Sequence, residues 1–246
     1  VSWVVHLEGL TPYPAAHALQ EALVAARIAG QGEDLLLFLE HPPTITLGKR
    51  RGAESNVLQG GDVPVVAVAR GGDATWHGPG QLVAYPIVAL KGERQDLHAH
   101  LHALEDAVIG LLAELGVTGR RDARNTGVWL EGASGEARKL CSIGVACRGW
   151  VSWHGLALNL DVDLGGFARI RPCGFGAEVM TRLADHLQPC PDVTSLAPRL
   201  VPHLIAALRL SPPSRTWRGV LRAEGEVGSW LERLGLALQP GPAPTA

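Results

Sequence analysis

The sequence predicts a mixed α/β (α+β) fold: a mixed central sheet with flanking helices that cover it mainly on one side. Three observations lead there. Short apolar runs rich in β-branched residues outnumber strong helical patterns in the middle of the chain, and amphipathic stretches stand towards both ends. Hydrophobic residues make up 46% and charged residues 19% of 246 positions, the balance of a chain that buries one sizeable core.

The elements follow in order. Val1–Leu7 alternates like a short strand. Pro14 to Gly30 reads as a helix, with proline in the first turn, Leu19, Leu23 and Ala26 on one face, and glycine as the stop. Leu35–Leu39 is a buried strand, His41-Pro42-Pro43 breaks it, and Thr44–Leu47 resumes in extended form. Val65–Ala69, bounded by Pro64, reads as a second buried strand, and Leu82–Leu90 as a third. Asp96 to Leu115 is the longest helix: Asp96 is its N-cap, and Leu97, Leu101, Leu104, Val108, Leu111 and Leu115 form one apolar face.

Thr126–Leu130, Lys139–Ala146 and Val151–Leu160 are consecutive strands, the first two joined by a hairpin turn over Glu131–Arg138. Short helices are expected at 163–169 and 176–187, a longer one at 193–209 and a last one at 224–235, with a Pro-Pro-Ser break inside 211–222. The tail Gln239–Ala246, QPGPAPTA, is expected to be disordered. Residues 1–210 are expected to form the main domain and 211–246 a C-terminal extension.

Composition narrows the function classes. A net charge of −2 without a basic tract argues against nucleic acid as the main partner. No apolar run is long enough to span a bilayer, and residues 1–30 lack the layout of a signal peptide, so a cytoplasmic protein is expected. Cys141, Cys147, Cys173 and Cys190 show no CxxC spacing and are expected as free thiols, with no metal site. Among 22 basic residues only Lys49, Lys91 and Lys139 are lysines. A coding bias explains that scarcity, yet lysine can exchange a proton near neutrality and arginine cannot.

Chemistry concentrates in four segments. Residues 70–81, RGGDATWHGPGQ, read as a polar glycine-rich loop between two core strands, where Arg70, Thr75, His77 and Gln81 can all hydrogen-bond. KLCSIG at 139–144 sets a lysine at the mouth of a strand, WHGLALN at 153–159 places His154 and Gly155 inside a strand, and RPCGFG at 171–176 holds Cys173 in a tight turn. Cys173 is either a small buried thiol or a nucleophile, and a nucleophile needs a cation or base beside it. Lys139 supplies that partner if the fold brings it close, as an ammonium or as a base; otherwise it is a solvated lysine at a hairpin end. His98, His100 and His102 are read as solvated helix residues, His154 as ordering the site or as a core histidine. Cys141 and Cys147 suit core packing, and Cys190 is incidental.

These four segments, with HPPTITLGKR at 41–50 and TGVWL at 126–130, resemble the lipoyl(octanoyl) transferase family over roughly residues 3–200. The resemblance implies the fold of the biotin/lipoate protein ligase catalytic domain. It makes Cys173 the acyl-thioester nucleophile and Lys139 the residue that lowers its pKa. It lines the acyl site with Arg70, Gly71, Gly72, Asp73, Ala74, Thr75, Trp76 and His77, together with Ser142, Ile143, Gly144, Gly155, Leu156 and Ala157. Amides near Gly71, Gly72 or Gly144 are candidates for polarising the thioester carbonyl.

The implied donor is octanoyl-acyl carrier protein. The implied acceptors are lipoyl domains of 2-oxoacid dehydrogenase and glycine cleavage proteins, and no cofactor is required. Two departures stand out: Trp76 where tyrosine is usual, and Arg182 where serine is common. Three rivals predict different outcomes. An ATP-dependent lipoate or biotin ligase needs no cysteine, a cysteine hydrolase releases the acyl group to water, and a carrier-binding module with a degenerate site forms no adduct.

Overall fold

The computed structural model describes residues 2–132 and 135–236 and, at Cys173, the backbone alone. In chain order the regular elements are β1 (Ser2–Leu10), α1 (Tyr13–Ile28), β2 (Asp34–Glu40), β3 (Thr44–Leu47), β4 (Val65–Ala67), β5 (Ala74–His77), β6 (Gln81–Ala89), α2 (Leu97–Glu114), β7 (Gly127–Glu131), β8 (Ala137–Arg148), β9 (Val151–Asn159), α3 (Val193–Ala207), β10 (Pro213–Gly219) and α4 (Val227–Arg233). Two sheets result. The larger is mixed, in the order β10-β1-β2-β6-β9-β8-β7, with β1 parallel to both its neighbours and the other pairs antiparallel. The smaller has the order β4-β3-β5.

Alternation along the strands shows why the large sheet has two cores. On β2, Leu36 and Phe38 face one cluster while Leu35, Leu37 and Leu39 face another; on β6, Leu82 and Ala84 oppose Val83 and Tyr85 in the same way. The first cluster is closed by Leu104, Val108 and Leu111 of α2 and Leu196, Leu200 and Leu204 of α3. The second is closed by Ala16, Leu19 and Leu23 of α1 and Trp230 and Leu231 of α4. Helices therefore cover both faces, against the one-sided expectation. The near-continuous apolar runs of β2 and β6 are what a strand buried on both faces requires.

Helix ends follow their chemistry. Pro12 and Pro14 open α1. The Asp96 carboxylate accepts from His98 N at 2.8 Å and Ala99 N at 3.0 Å, capping α2 as expected. Asp192 caps α3 through Ser195 N at 2.8 Å.

Other expectations need correction. The run at 65–69 is not a buried strand: Val65–Ala67 is the edge of the small sheet, paired only to β3, and Val65 is 44% exposed. The motif at 70–81 is not all loop, because Ala74–His77 forms β5 and pairs antiparallel with β3. Residues 176–187 hold two single turns, Ala177–Val179 and Leu183–Asp185, rather than a helix. Within 211–222 the chain does not simply break: Pro213–Gly219 runs parallel to β1, with Pro213 as first strand residue, where its missing N–H costs little. Trp217 packs edge-on against Trp3 at 5.1 Å. In the 131–138 turn Gly132 N donates to Glu136 O at 2.7 Å; residues 133–134 and the tail at 239–246 lie outside the described residues. No described helix is long and apolar enough to cross a membrane.

Candidate active site

The glycine-rich motif is held by one buried arginine. Arg70 Nη1 donates to Asp73 O at 2.9 Å and Gly71 O at 3.1 Å, while Nη2 donates to Thr46 O at 2.9 Å and Thr46 Oγ1 at 2.8 Å. A planar guanidinium is the one side chain that can span a loop and a strand in this way. Gly48 completes the fit, since a Cβ there would collide with Gly72 O and with Nη1 itself. Asp73 is buried and accepts from Asn56 Nδ2 at 2.8 Å and Ala74 N at 2.7 Å. Gly71 N is committed to Val145 O at 2.9 Å, which removes it from the set of oxyanion donors expected from the sequence.

This loop lies over β8 and β9, and together they enclose a cavity of about 210 Å³. Arg70, Gly71, Gly72, Asp73, Ala74, Thr75 and His77 line it from the motif. Ser142, Ile143 and Gly144 line it from β8, and Gly155, Leu156 and Ala157 from β9. Lys139 and Pro172 also face it. Segments far apart in the chain thus meet in one place.

Trp76 does not join them. Strand alternation on β5 turns it into a third small cluster with Phe167, Ile45 and Met180, where its ring stands edge-on to Phe167 at 5.5 Å. Its indole lies against Gly78 and Gly166, either of which would strike it with a Cβ. The large ring is accommodated by glycines rather than by the cavity.

Lys139 is buried, 3% exposed, and not a solvated hairpin lysine. Its Nζ donates to Asn125 Oδ1 at 2.6 Å and lies 5.4 Å from the centre of the Trp129 ring. The stem passes Gly127, where a Cβ would approach Lys139 Cε to 2.7 Å. Gly127 N in turn donates to the buried Glu105 Oε1 of α2 at 2.8 Å. Thr181 N donates to Lys139 O at 3.0 Å and fixes the backbone.

Cys173 sits in the turn Pro172–Gly174, whose backbone is described while its side chain lies outside the description. Arg171 N donates to Asn56 O at 2.8 Å, tying that turn to the residue that also holds Asp73. Cys141 is a core thiol, pushed up to about 12 by burial. Cys147 is half-buried on the same strand, and Cys190 Sγ approaches Leu160 O at 3.7 Å.

Histidine and tyrosine rings form a further part of the lining. His77 Nδ1 donates to Gln81 Oε1 at 2.8 Å, and Gln81 Nε2 donates to Asn159 Oδ1 at 2.9 Å. That arrangement leaves His77 Nε2 bare towards Thr46 Oγ1 at 3.4 Å. Burial holds the His77 imidazole well below its usual range and His154 down to about 3. Burial also raises Tyr13 to about 12 and pushes Tyr85 well above the usual range. Beneath them His41, at about 4 through burial, donates from Nδ1 to Thr11 O at 2.7 Å and meets Tyr85 OH at 2.9 Å.

Tyr13, Arg50, Tyr85, Leu101, Asn125, Thr126 and Val145 also line the cavity and were not expected there. A signal existed: the chain has two tyrosines, and both are in it. His100, expected in solvent, is buried and meets Ser152 Oγ at 2.8 Å, whereas His98 stays exposed. Arg182 bridges Asp161 and Asp185 at 3.0 Å each, away from the cavity. Among the described residues no three His, Cys, Asp or Glu side chains are grouped to hold a metal ion.

Comparison with known proteins agrees with this architecture. An octanoyltransferase of Gloeobacter violaceus is 46% identical over 188 residues, covering 76% of this chain and 80% of that protein. An octanoyltransferase of Chloroflexus aggregans is 45% identical, covering 85% and 96%. Among solved structures, lipoate-protein ligase A bound with ATP superposes with a TM-score of 0.71 at 16% identity, covering 94% of each chain. A bi-partite lipoate protein ligase from Thermoplasma acidophilum gives 0.66 at 15% identity, covering 98% of each. At such identities the likeness speaks for the fold alone. Residues 12–205 match the lipoyl protein ligase A/B catalytic domain, and with relatives this close over most of its length the chain belongs to that family, alongside the octanoyltransferases.

Proposed function

We propose that the protein transfers an octanoyl group from octanoyl-acyl carrier protein to a lysine of lipoyl domains, those of 2-oxoacid dehydrogenase and glycine cleavage proteins. The reading is carried by one observation: the cavity gathers Lys139, the glycine-rich motif and the Pro172 turn in a chain whose relatives at 45–46% identity are octanoyltransferases. Residues 1–210 form the catalytic unit; 211–246 are the extension that adds β10 and α4. The enzyme works in the cytoplasm, where its carrier proteins are.

The reaction has two halves. The Cys173 thiolate attacks the thioester carbonyl, the carbon–sulfur bond to the carrier breaks, and the carrier leaves as a thiol after taking a proton. The acceptor lysine, as a free amine, then attacks the acyl-enzyme. An amide forms, its proton is lost, and the Cys173 thiolate returns. The chain is retained because each methylene removed from water contributes about 0.8 kcal/mol. Ile143, Leu156 and the bare glycine backbones provide that surface.

Lys139 has two consistent roles, holding the thiolate by its charge and passing protons. A buried amine fixed by Asn125 beside an apolar slot is suited to both.

Intact-mass analysis after incubation with octanoyl-acyl carrier protein tests the reading. The expected result is one octanoyl adduct, mapped to Cys173 and discharged by a lipoyl domain. Wild-type protein without an adduct, or Cys173→Ala that still joins free octanoate to the lipoyl domain with ATP, would overturn it in favour of a ligase.

A further inference from the structure

His154 is anomalous in backbone, hydrogen bonding and side-chain direction. It adopts φ +58°, a left-handed conformation uncommon for a residue with a side chain. It is 1% exposed and lines the cavity, yet among the described residues neither ring nitrogen has a hydrogen-bond partner. Its ring stacks on that of its neighbour Trp153 at 4.3 Å, which a regular strand forbids because successive side chains point to opposite faces.

The sequence builds this conformation. β6 and β9 pair from Gln81↔Asn159 to Ala84↔Leu156 and again from Val88↔Ser152, and are unpaired between. Pro86, which has no N–H to donate, lies opposite the gap. Gly155 closes it, since a Cβ there would collide with Ala84 O. Gln20 Oε1 of α1 then accepts from His154 N at 3.0 Å. Strain held by several partners in a cavity wall is the usual mark of a working position.

Register gives its distance from the reacting end. Gly127, which the Lys139 stem touches, pairs with Ser142, while His154 pairs with Val145. Three strand positions separate these two levels, roughly 10 Å at the usual rise. Three residues of strand contain nine backbone bonds, and an octanoyl chain contains seven carbon–carbon bonds of similar length, about 8 Å. The remainder is room for the carbonyl to approach the amine.

We propose that His154 is the polar stop of the acyl slot, a specificity-determining residue at which an eight-carbon chain ends. The inference rests on the acyl-transfer reading above and extends it to chain selection. A longer alkyl chain presses methylenes against buried ring nitrogens and leaves them unpaired. A chain of the same length ending in a hydroxyl gives them a partner. Sites built to hydrogen-bond discriminate strongly against analogues that cannot.

The test compares carrier-protein thioesters of octanoate, nonanoate and 8-hydroxyoctanoate, the last two differing by hydroxyl for methyl. Wild-type kcat/KM is expected to fall about tenfold from octanoyl to nonanoyl, and to recover about fivefold or more with 8-hydroxyoctanoyl. His154→Leu should bring the hydroxyl-to-methyl ratio to one or below. His154→Asn, which tolerates left-handed backbone and keeps a polar tip, should preserve it. A wild-type ratio of one or less, or an unchanged ratio in His154→Leu, overturns the proposal. If His154→Leu does not fold, the wild-type and His154→Asn ratios decide. Should the wild type transfer no acyl group at all, the acyl-transfer reading fails instead; calorimetric binding of free 8-hydroxyoctanoate against nonanoate then reads the stop by itself, with stronger binding of the hydroxy acid expected and equal binding overturning it.

Discussion

Replacing Arg70 by lysine keeps the charge and removes the fork. In the wild type two terminal nitrogens reach Thr46 on β3 on one side and the Gly71 and Asp73 carbonyls on the other, through four contacts between 2.8 and 3.1 Å. A single ammonium cannot reach both sides, so at least two buried acceptors lose their donor. Each charge-assisted bond lost in a buried place costs about 1.5–3 kcal/mol, giving roughly 3–6 kcal/mol for Arg70→Lys. That is a large fraction of a domain's usual stability. The loss should concentrate in the glycine-rich segment, where Arg70 makes the shortest side-chain contacts to β3 and His77 adds only a 3.4 Å approach to Thr46 Oγ1. Urea unfolding followed by tryptophan fluorescence reads the global part, and hydrogen exchange at Gly72 and Ala74 reads the local part. Octanoyl transfer should fall at least tenfold in kcat/KM. If stability stays within 1 kcal/mol and exchange is unchanged while activity falls, Arg70 acts on the substrate and the argument for a loop-holding role is refuted.

Two further outcomes follow from buried groups. Glu105→Ala removes the acceptor of Gly127 N at 2.8 Å and of Arg121 Nε at 2.8 Å, so it should cost about 2–3 kcal/mol. It should also lower kcat/KM by loosening the strand against which Lys139 lies, measured by thermal unfolding and transfer kinetics. His41 and His100 are held at about 4 and His154 at about 3 by burial, against 6.5 in an unfolded chain. Above pH 6.5 all are neutral in both states and their contribution is complete. As pH falls towards 4 the unfolded chain takes up protons first, and each histidine removes up to about 1.4 kcal/mol per pH unit. The urea midpoint should fall steeply between pH 6.5 and 4; a flat profile there would contradict the buried, neutral state.

Legibility in the sequence depended on whether a signal was local. Asp96 could be read as an N-cap and Thr44–Leu47 as a strand because capping and alternation are decided within a few residues. Pro213–Gly219 escaped because an edge strand with five exposed and two half-buried positions shows no apolar face; its pairing comes from β1, far away in the chain. Val65–Ala67 misled for the opposite reason, since valines at the rim of a small sheet carry the pattern of a core strand. In the site, motif residues could be named but their directions could not. Trp76 and Thr75 are neighbours, and strand alternation sends one to the cavity and the other to a separate core. His154 breaks the same rule through a backbone twist that Pro86 and Gly155 make possible only when β6 and β9 are side by side.

Beside the Arg70 clamp, side-chain amides tie the parts of the site together, and charge patterns in the sequence give little guide to where they act. Asn56 binds Asp73 through its side chain and Arg171 through its carbonyl, so one residue from a short turn positions both the glycine-rich loop and the turn that carries Cys173. Gln81 and Asn159 form a second relay, from His77 through Asn159 Nδ2 to Thr181 O at 2.9 Å, and Thr181 N ends on Lys139 O. Each amide both donates and accepts, so a chain of them has one consistent orientation, and reversing any member strands two buried groups. A buried amine can work beside such relays because their orientation, unlike that of carboxylates, does not change when a proton arrives or leaves. The cavity stays preorganised while charge moves through it, which is what the proposed two-step acyl transfer asks of its walls.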